Sequence, residues 1–129
     1  MVANTGQIAP DDEWLSKASE AVLEPDLAII DPHHHLWLRN GYPYLMPELA
    51  ADLASGHNIV ATVYAECHSM YRAEGPAEFR SIGETEFVRG QAAMSASGEF
   101  GPARACAAMF GNVDLTLGRA VRDLIEQHQ

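Results

Sequence analysis

Asp31-Pro32-His33-His34-His35-Leu36-Trp37 is the segment whose residue types and spacing can do chemistry. Residues i and i+2 of an extended segment point to the same side. His33 and His35 therefore aim together, and His34 faces away. Two converging imidazoles make half of a divalent-metal site, because a neutral ring nitrogen is a standard ligand for zinc and its neighbours. The pair can equally hold a substrate by hydrogen bonds, and a polar turn that happens to be rich in histidine is the plain alternative. Asp31 is placed to orient the turn by bonding its own backbone.

The elements that must position this segment follow from hydropathy and breakers. Leu27-Ala28-Ile29-Ile30 is a short apolar run between Pro25-Asp26 and Asp31-Pro32, which reads as a buried strand of a parallel sheet covered on both faces. The histidines then fall at its carboxyl end, where α/β folds place their ligands. Upstream, residues 1–10 read as a loose start. Asp11, Asp12 and Glu13 suit a helix N-terminus, and Trp14, Ala18, Ala21 and Val22 follow at helical spacing, predicting a helix over 12–23 that Pro25 stops. Residues 38–46 read as an irregular loop. Pro47 opens a helix that Gly56 ends. Residues 58–65 form the clearest strand, 67–82 a long loop, and 83–97 a helix. The Ala-rich run 105–110 is ambiguous by propensity but bounded like a strand. A last helix begins near Thr116 and carries His128 on its apolar stripe. The order is a lead helix, then three βα units, so the fold class is α/β with parallel pairing.

Length and charge limit what such a chain does. Its 129 residues allow one domain, divided here into an extension over 1–26 and a βα domain over 27–129. A net charge of -10 repels phosphate, which argues against nucleic acid and anionic membranes as partners. No apolar run approaches the roughly 18 residues of a membrane span, and Met1–Pro10 lacks the pattern of a secretory signal. Cys67 and Cys106 read as reduced core thiols, and a cytoplasmic setting is expected.

Residues 29–37, Ile-Ile-Asp-Pro-His-His-His-Leu-Trp, resemble the first-strand motif of the amidohydrolase superfamily. More specifically, they resemble its amidohydrolase-related (amidohydrolase 2) branch of metal-dependent TIM-barrel hydrolases, lactonases among them. The similarity runs on through residues 44–49, 58–66, 70–72, 83–87 and 114–118. It implies the first three βα units of a (β/α)8 barrel, with His33 and His35 as ligands of a divalent metal such as zinc or manganese. Some relatives work without metal and use these histidines to hold substrate. The reaction implied is hydrolysis of a lactone or other cyclic ester or amide by attack of water. A whole barrel typically needs about 250 residues. The chain is therefore expected to be a truncated, incomplete barrel that lacks the later ligands and the general base, so no catalytic residue is identified. The alternative is a non-catalytic α/β module whose open sheet edges self-associate or take a complementing chain.

Further candidates sit where the strands end. Glu66 and Asn112 end the second and third strands and could contact a small-molecule substrate. Tyr71 and Arg72 lie in the loop after the second strand, where the guanidinium suits a substrate carboxylate. His68 lies at the same end, whereas His57 precedes the second strand at the opposite one. Glu84 and Glu86 are read as dipole-stabilising acids opening a helix.

Overall fold

The computed structural model describes residues 11–39 and 41–129. The expected loose start over 1–10 lies outside them. The chain order is α1 (Asp12–Leu15), β1 (Ile29–His34), β2 (Trp37–Arg39), β3 (Tyr42–Tyr44), α2 (Met46–Leu53), β4 (Ile59–Ala65), α3 (Ile82–Ala96), β5 (Arg104–Phe110) and α4 (Val121–His128). Strands β1, β4 and β5 form a parallel sheet in that spatial order, and β2 pairs with β3 in a separate antiparallel hairpin. Each strand of the parallel sheet is followed by a helix. The class is therefore α/β, and among the described residues the sheet is not closed into a barrel. No helix among them is long and apolar enough to cross a membrane.

Register separates the two faces of the sheet. Thr62 and Tyr64 of β4 face the helices, beside His34 of β1 and Met109 of β5, their partners in register or next in line. Leu36, Met46, Leu49, Tyr64, Val88, Ala105 and Cys106 make the core on this side. Ala61, Val63 and Ala65 face the other way, with Ile30, Ala108 and Phe110 beside them. That face is open: Ile30 is 62% exposed and Phe110 50%. The strand expected to be buried on both sides is covered on one only, because α2 and α3 pack on the same side.

Three further expectations are corrected. The lead helix stops at Leu15 rather than running to residue 23. Asp11 caps it by accepting from the Trp14 N–H at 2.9 Å, but Trp14 and Leu15 stay exposed. A short helix without an apolar face to bury does not propagate. Residues 38–46 are not an irregular loop, since Trp37 stacks on Tyr44 across the β2–β3 hairpin. The last helix does not begin near Thr116. A 3-10 turn over Leu115–Ala120 precedes it, and Gly118 there adopts a left-handed φ of 60° that interrupts helical hydrogen bonding.

Helix α3 sits tightly against the loop after β4. A Cβ on Gly83 would lie 2.5 Å from the Met70 carbonyl oxygen and 2.6 Å from the Arg72 nitrogen. Both are backbone atoms, so the loop itself would have to move. Gly83→Ala is expected to destabilise the fold by about 1–3 kcal/mol. Urea denaturation checks this, and an unchanged midpoint would show that the loop is free to shift.

Candidate functional site

Strand β1 does not end before the histidines but carries the chain through Pro32 to His34. An irregularity in its register with β4 lies between Asp31 and His34. Pro32 lacks an N–H, and it sits on an edge strand within the irregular stretch, the setting in which a sheet tolerates proline. Asp31 Oδ1 accepts from the His33 N–H at 3.0 Å and sets the local turn.

His34 turns to the helix side and is buried. Its Nδ1 lies 3.1 Å from the Val63 carbonyl oxygen, which can only accept, so Nδ1 carries the proton. Nε2 is then the acceptor, 3.5 Å from the Cys106 thiol. Burial pushes the His34 pKa down and the Cys106 thiol up to about 11, so both are neutral core groups.

His33 and His35 turn to the open side. Their Nε2 atoms stand 3.2 Å apart with the rings nearly perpendicular, and the His33 ring also packs edge-on near Phe110. His35 Nδ1 donates to the Ala65 carbonyl oxygen at 2.8 Å. That bond fixes the tautomer, leaving the His35 Nε2 lone pair aimed at His33. Two lone pairs at this distance repel unless a proton or a cation lies between them. Two zinc–nitrogen bonds of about 2.0–2.1 Å at a tetrahedral angle separate their nitrogens by about 3.3 Å. The donor set therefore fits two ligands of one divalent cation. No group of three or more potential metal-ligating side chains occurs among the described residues.

A second polar cluster gathers at the ends of β4 and β5. Glu66 donates its backbone N–H to Phe110 O, and its Oε2 lies 3.7 Å from His68 Nδ1. Asn112 Nδ2 donates both to His68 Nε2 at 3.3 Å and to the Tyr71 hydroxyl at 3.2 Å. Glu66, Tyr71 and Asn112 are thus brought together, with His68 in their midst. Arg72 is not among them. It is exposed and paired with Glu86 through two hydrogen bonds, its Nε 3.1 Å from Glu86 Oε2. No family model, curated protein or solved structure matches this chain.

Sequence reasoning missed Glu84. It does lie in the first turn of the helix, as expected of a dipole-stabilising acid, but it is 2% exposed. Its Oε1 accepts from the Tyr64 hydroxyl at 2.7 Å, the Cys67 N–H at 2.8 Å and the Ser69 N–H at 3.0 Å. Glycine at position 83, one residue before it, was the available signal, since close backbone approach there draws the helix start against the loop.

His128 locks α4 to α3, with Nδ1 2.8 Å from Thr85 Oγ1 and Nε2 3.3 Å from Ser81 Oγ. Burial holds its pKa below the ordinary 6.5, against the raising influence of Asn112 and Glu84. His34 is shifted the same way, chiefly by burial. On acidification the unfolded chain takes up these protons first. Their stabilising contribution is whole above about pH 6.5 and is lost as pH falls below it. The melting temperature is expected to fall between about pH 7.5 and about pH 5.5, and His128→Gln to flatten part of that fall. An identical slope in the variant would remove His128 from the account.

Proposed function

We propose that this chain contributes the strand-1 ligand pair of an amidohydrolase-related hydrolase acting on a lactone or other cyclic ester or amide. In this reading the chain is the first three βα units of a (β/α)8 barrel and is catalytically incomplete by itself. The observation that carries it is the His33–His35 pair, with Nε2 atoms 3.2 Å apart at the carboxyl end of a parallel sheet. Support comes also from the strand order, which follows the chain, and from helices gathered on one face while the histidines occupy the other. His33 and His35 would hold a divalent cation such as zinc or manganese. Such a cation polarises a carbonyl and acidifies water. The chain's own residues fix His35 in the right tautomer and leave Glu66, Tyr71 and Asn112 near the strand ends to meet a small-molecule substrate. Arg72 would first have to leave Glu86. A cytoplasmic setting with free thiols is part of the same reading.

The test is calorimetric titration with zinc or manganese, followed by a lactone hydrolysis assay with the metal added. Metal binding without turnover is expected. Absence of binding would overturn the metal-ligand role, and robust turnover would overturn the incompleteness.

A second reading has its own observation. The apolar residues Ile30 and Phe110 on the open face, with edges at β1 and β5, favour a module that associates with a complementing chain or with itself. Analytical ultracentrifugation discriminates: a monomer at all concentrations would rule out self-association.

A further inference from the structure

We propose that Glu84 is a positioning residue for a polar site centred on His68. His68 is a non-glycine residue at a φ of 61°. Side chains rarely adopt this left-handed conformation, because Cβ crowds the following carbonyl oxygen. It persists where the surroundings over-determine it. Here the two peptide N–H groups that flank His68, those of Cys67 and Ser69, both point at one oxygen of Glu84. The Tyr64 hydroxyl holds that oxygen from a third side. The carboxylate is almost wholly buried and rides on the start of α3, so its position is set by helix packing and not by the loop.

The consequence is the direction of the imidazole. Asn112 Nδ2 can only donate, so His68 Nε2 is an acceptor and the proton sits on Nδ1. That proton faces Glu66 Oε2, which is itself buried and has no hydrogen-bond partner. A carboxylate beside Nδ1 is what favours this tautomer over the Nε2–H form preferred by a free imidazole. His68 thus presents a basic nitrogen beside Asn112 and Tyr71, where a ligand hydroxyl or amide N–H can take the place of the Asn112 amide. His68 and Glu84 join the candidate site by this geometry, whether or not His33 and His35 hold a metal.

The experiment is long-range nitrogen–proton NMR of imidazole-labelled chain at neutral pH, with the His68 signals assigned by their loss in His68→Gln. The wild type is expected to show Nδ1 protonated and Nε2 bare. Glu84→Gln keeps an oxygen for the two N–H groups and should preserve that pattern. Glu84→Ala should shift it toward the Nε2–H form while the signals of His34 and His35 stay in place. An Nε2–H pattern in the wild type, or an unchanged pattern in a folded Glu84→Ala, would overturn the proposal. Should the alanine variant not fold, His68→Gly gives the second measurement. Glycine accepts a positive φ at no steric cost, so its urea midpoint should equal or exceed that of His68→Ala, which loses the same side-chain contacts but keeps the Cβ. A lower midpoint would mean that His68 is not held against its own preference, and would also overturn it.

Discussion

Glu84→Ala is expected to cost roughly 3–5 kcal/mol of stability, the largest effect of any single substitution considered. The substitution strands donors rather than merely deleting a contact. The Cys67 and Ser69 N–H groups and the Tyr64 hydroxyl converge on one carboxylate oxygen in a region closed to water. Each buried donor left without an acceptor loses about 1–3 kcal/mol, and the Tyr64 hydroxyl recovers part of its share from the Cys67 sulfur 3.4 Å away. Glu84→Gln retains the accepting oxygen and is expected to lose about 1 kcal/mol, mainly by placing an amide where Oε2 now has no partner. Urea denaturation of the three proteins at neutral pH measures the difference. Equal losses for alanine and glutamine would show that charge matters here and the acceptor does not.

Zinc is expected to raise the melting temperature of the wild type, and His35→Ala or His33→Ala to abolish most of that rise. Loss of an outer-shell partner alone weakens metal binding by about tenfold or more, and removing one of two imidazole ligands is expected to cost at least as much. A saturating ligand at about 100 times its dissociation constant stabilises by about 2.7 kcal/mol, so the loss is readable as a melting shift. His35 is the more informative position. Its Nδ1 bond to the Ala65 carbonyl ties the ring to the end of β4, whereas the His33 ring meets only the His35 and Phe110 rings among the described residues. His57→Ala is the control, because His57 precedes β4 at the opposite end of the sheet. An undiminished zinc shift in the His33→Ala/His35→Ala double variant would remove the pair as the binding site.

These two predictions differ in how far the sequence foretold them. The i, i+2 spacing of His33 and His35 is a local property of an extended backbone, and it survives even though β1 runs further than expected and is irregular beyond Asp31. The strands at 58–65 and 105–110, the helix opened by Pro47 and the helix near 83–97 are legible for the same reason. Apolar periodicity and breakers act over a few residues. The lead helix is shorter than its helical spacing predicts because Trp14 and Leu15 stay exposed among the described residues. The hairpin at Trp37–Tyr44 was missed because aromatic stacking between its strands is a pairing that gives no periodic signal.

Sequence alone determined an α/β chain with parallel βα order, an acidic surface and two histidines aimed to one side at a strand end. Tertiary structure decided which of the polar residues act together. It turned His34 into a core group against Val63 and Cys106, took Arg72 away to Glu86, and gathered Glu66, His68, Tyr71 and Asn112 from two loops. It also converted Glu84 from a helix-opening acid into the buried anchor of the β4 loop. The physical reason is range. Backbone geometry sets where neighbouring side chains point, but the burial and hydrogen-bond partners of a charged group depend on segments brought alongside it by packing.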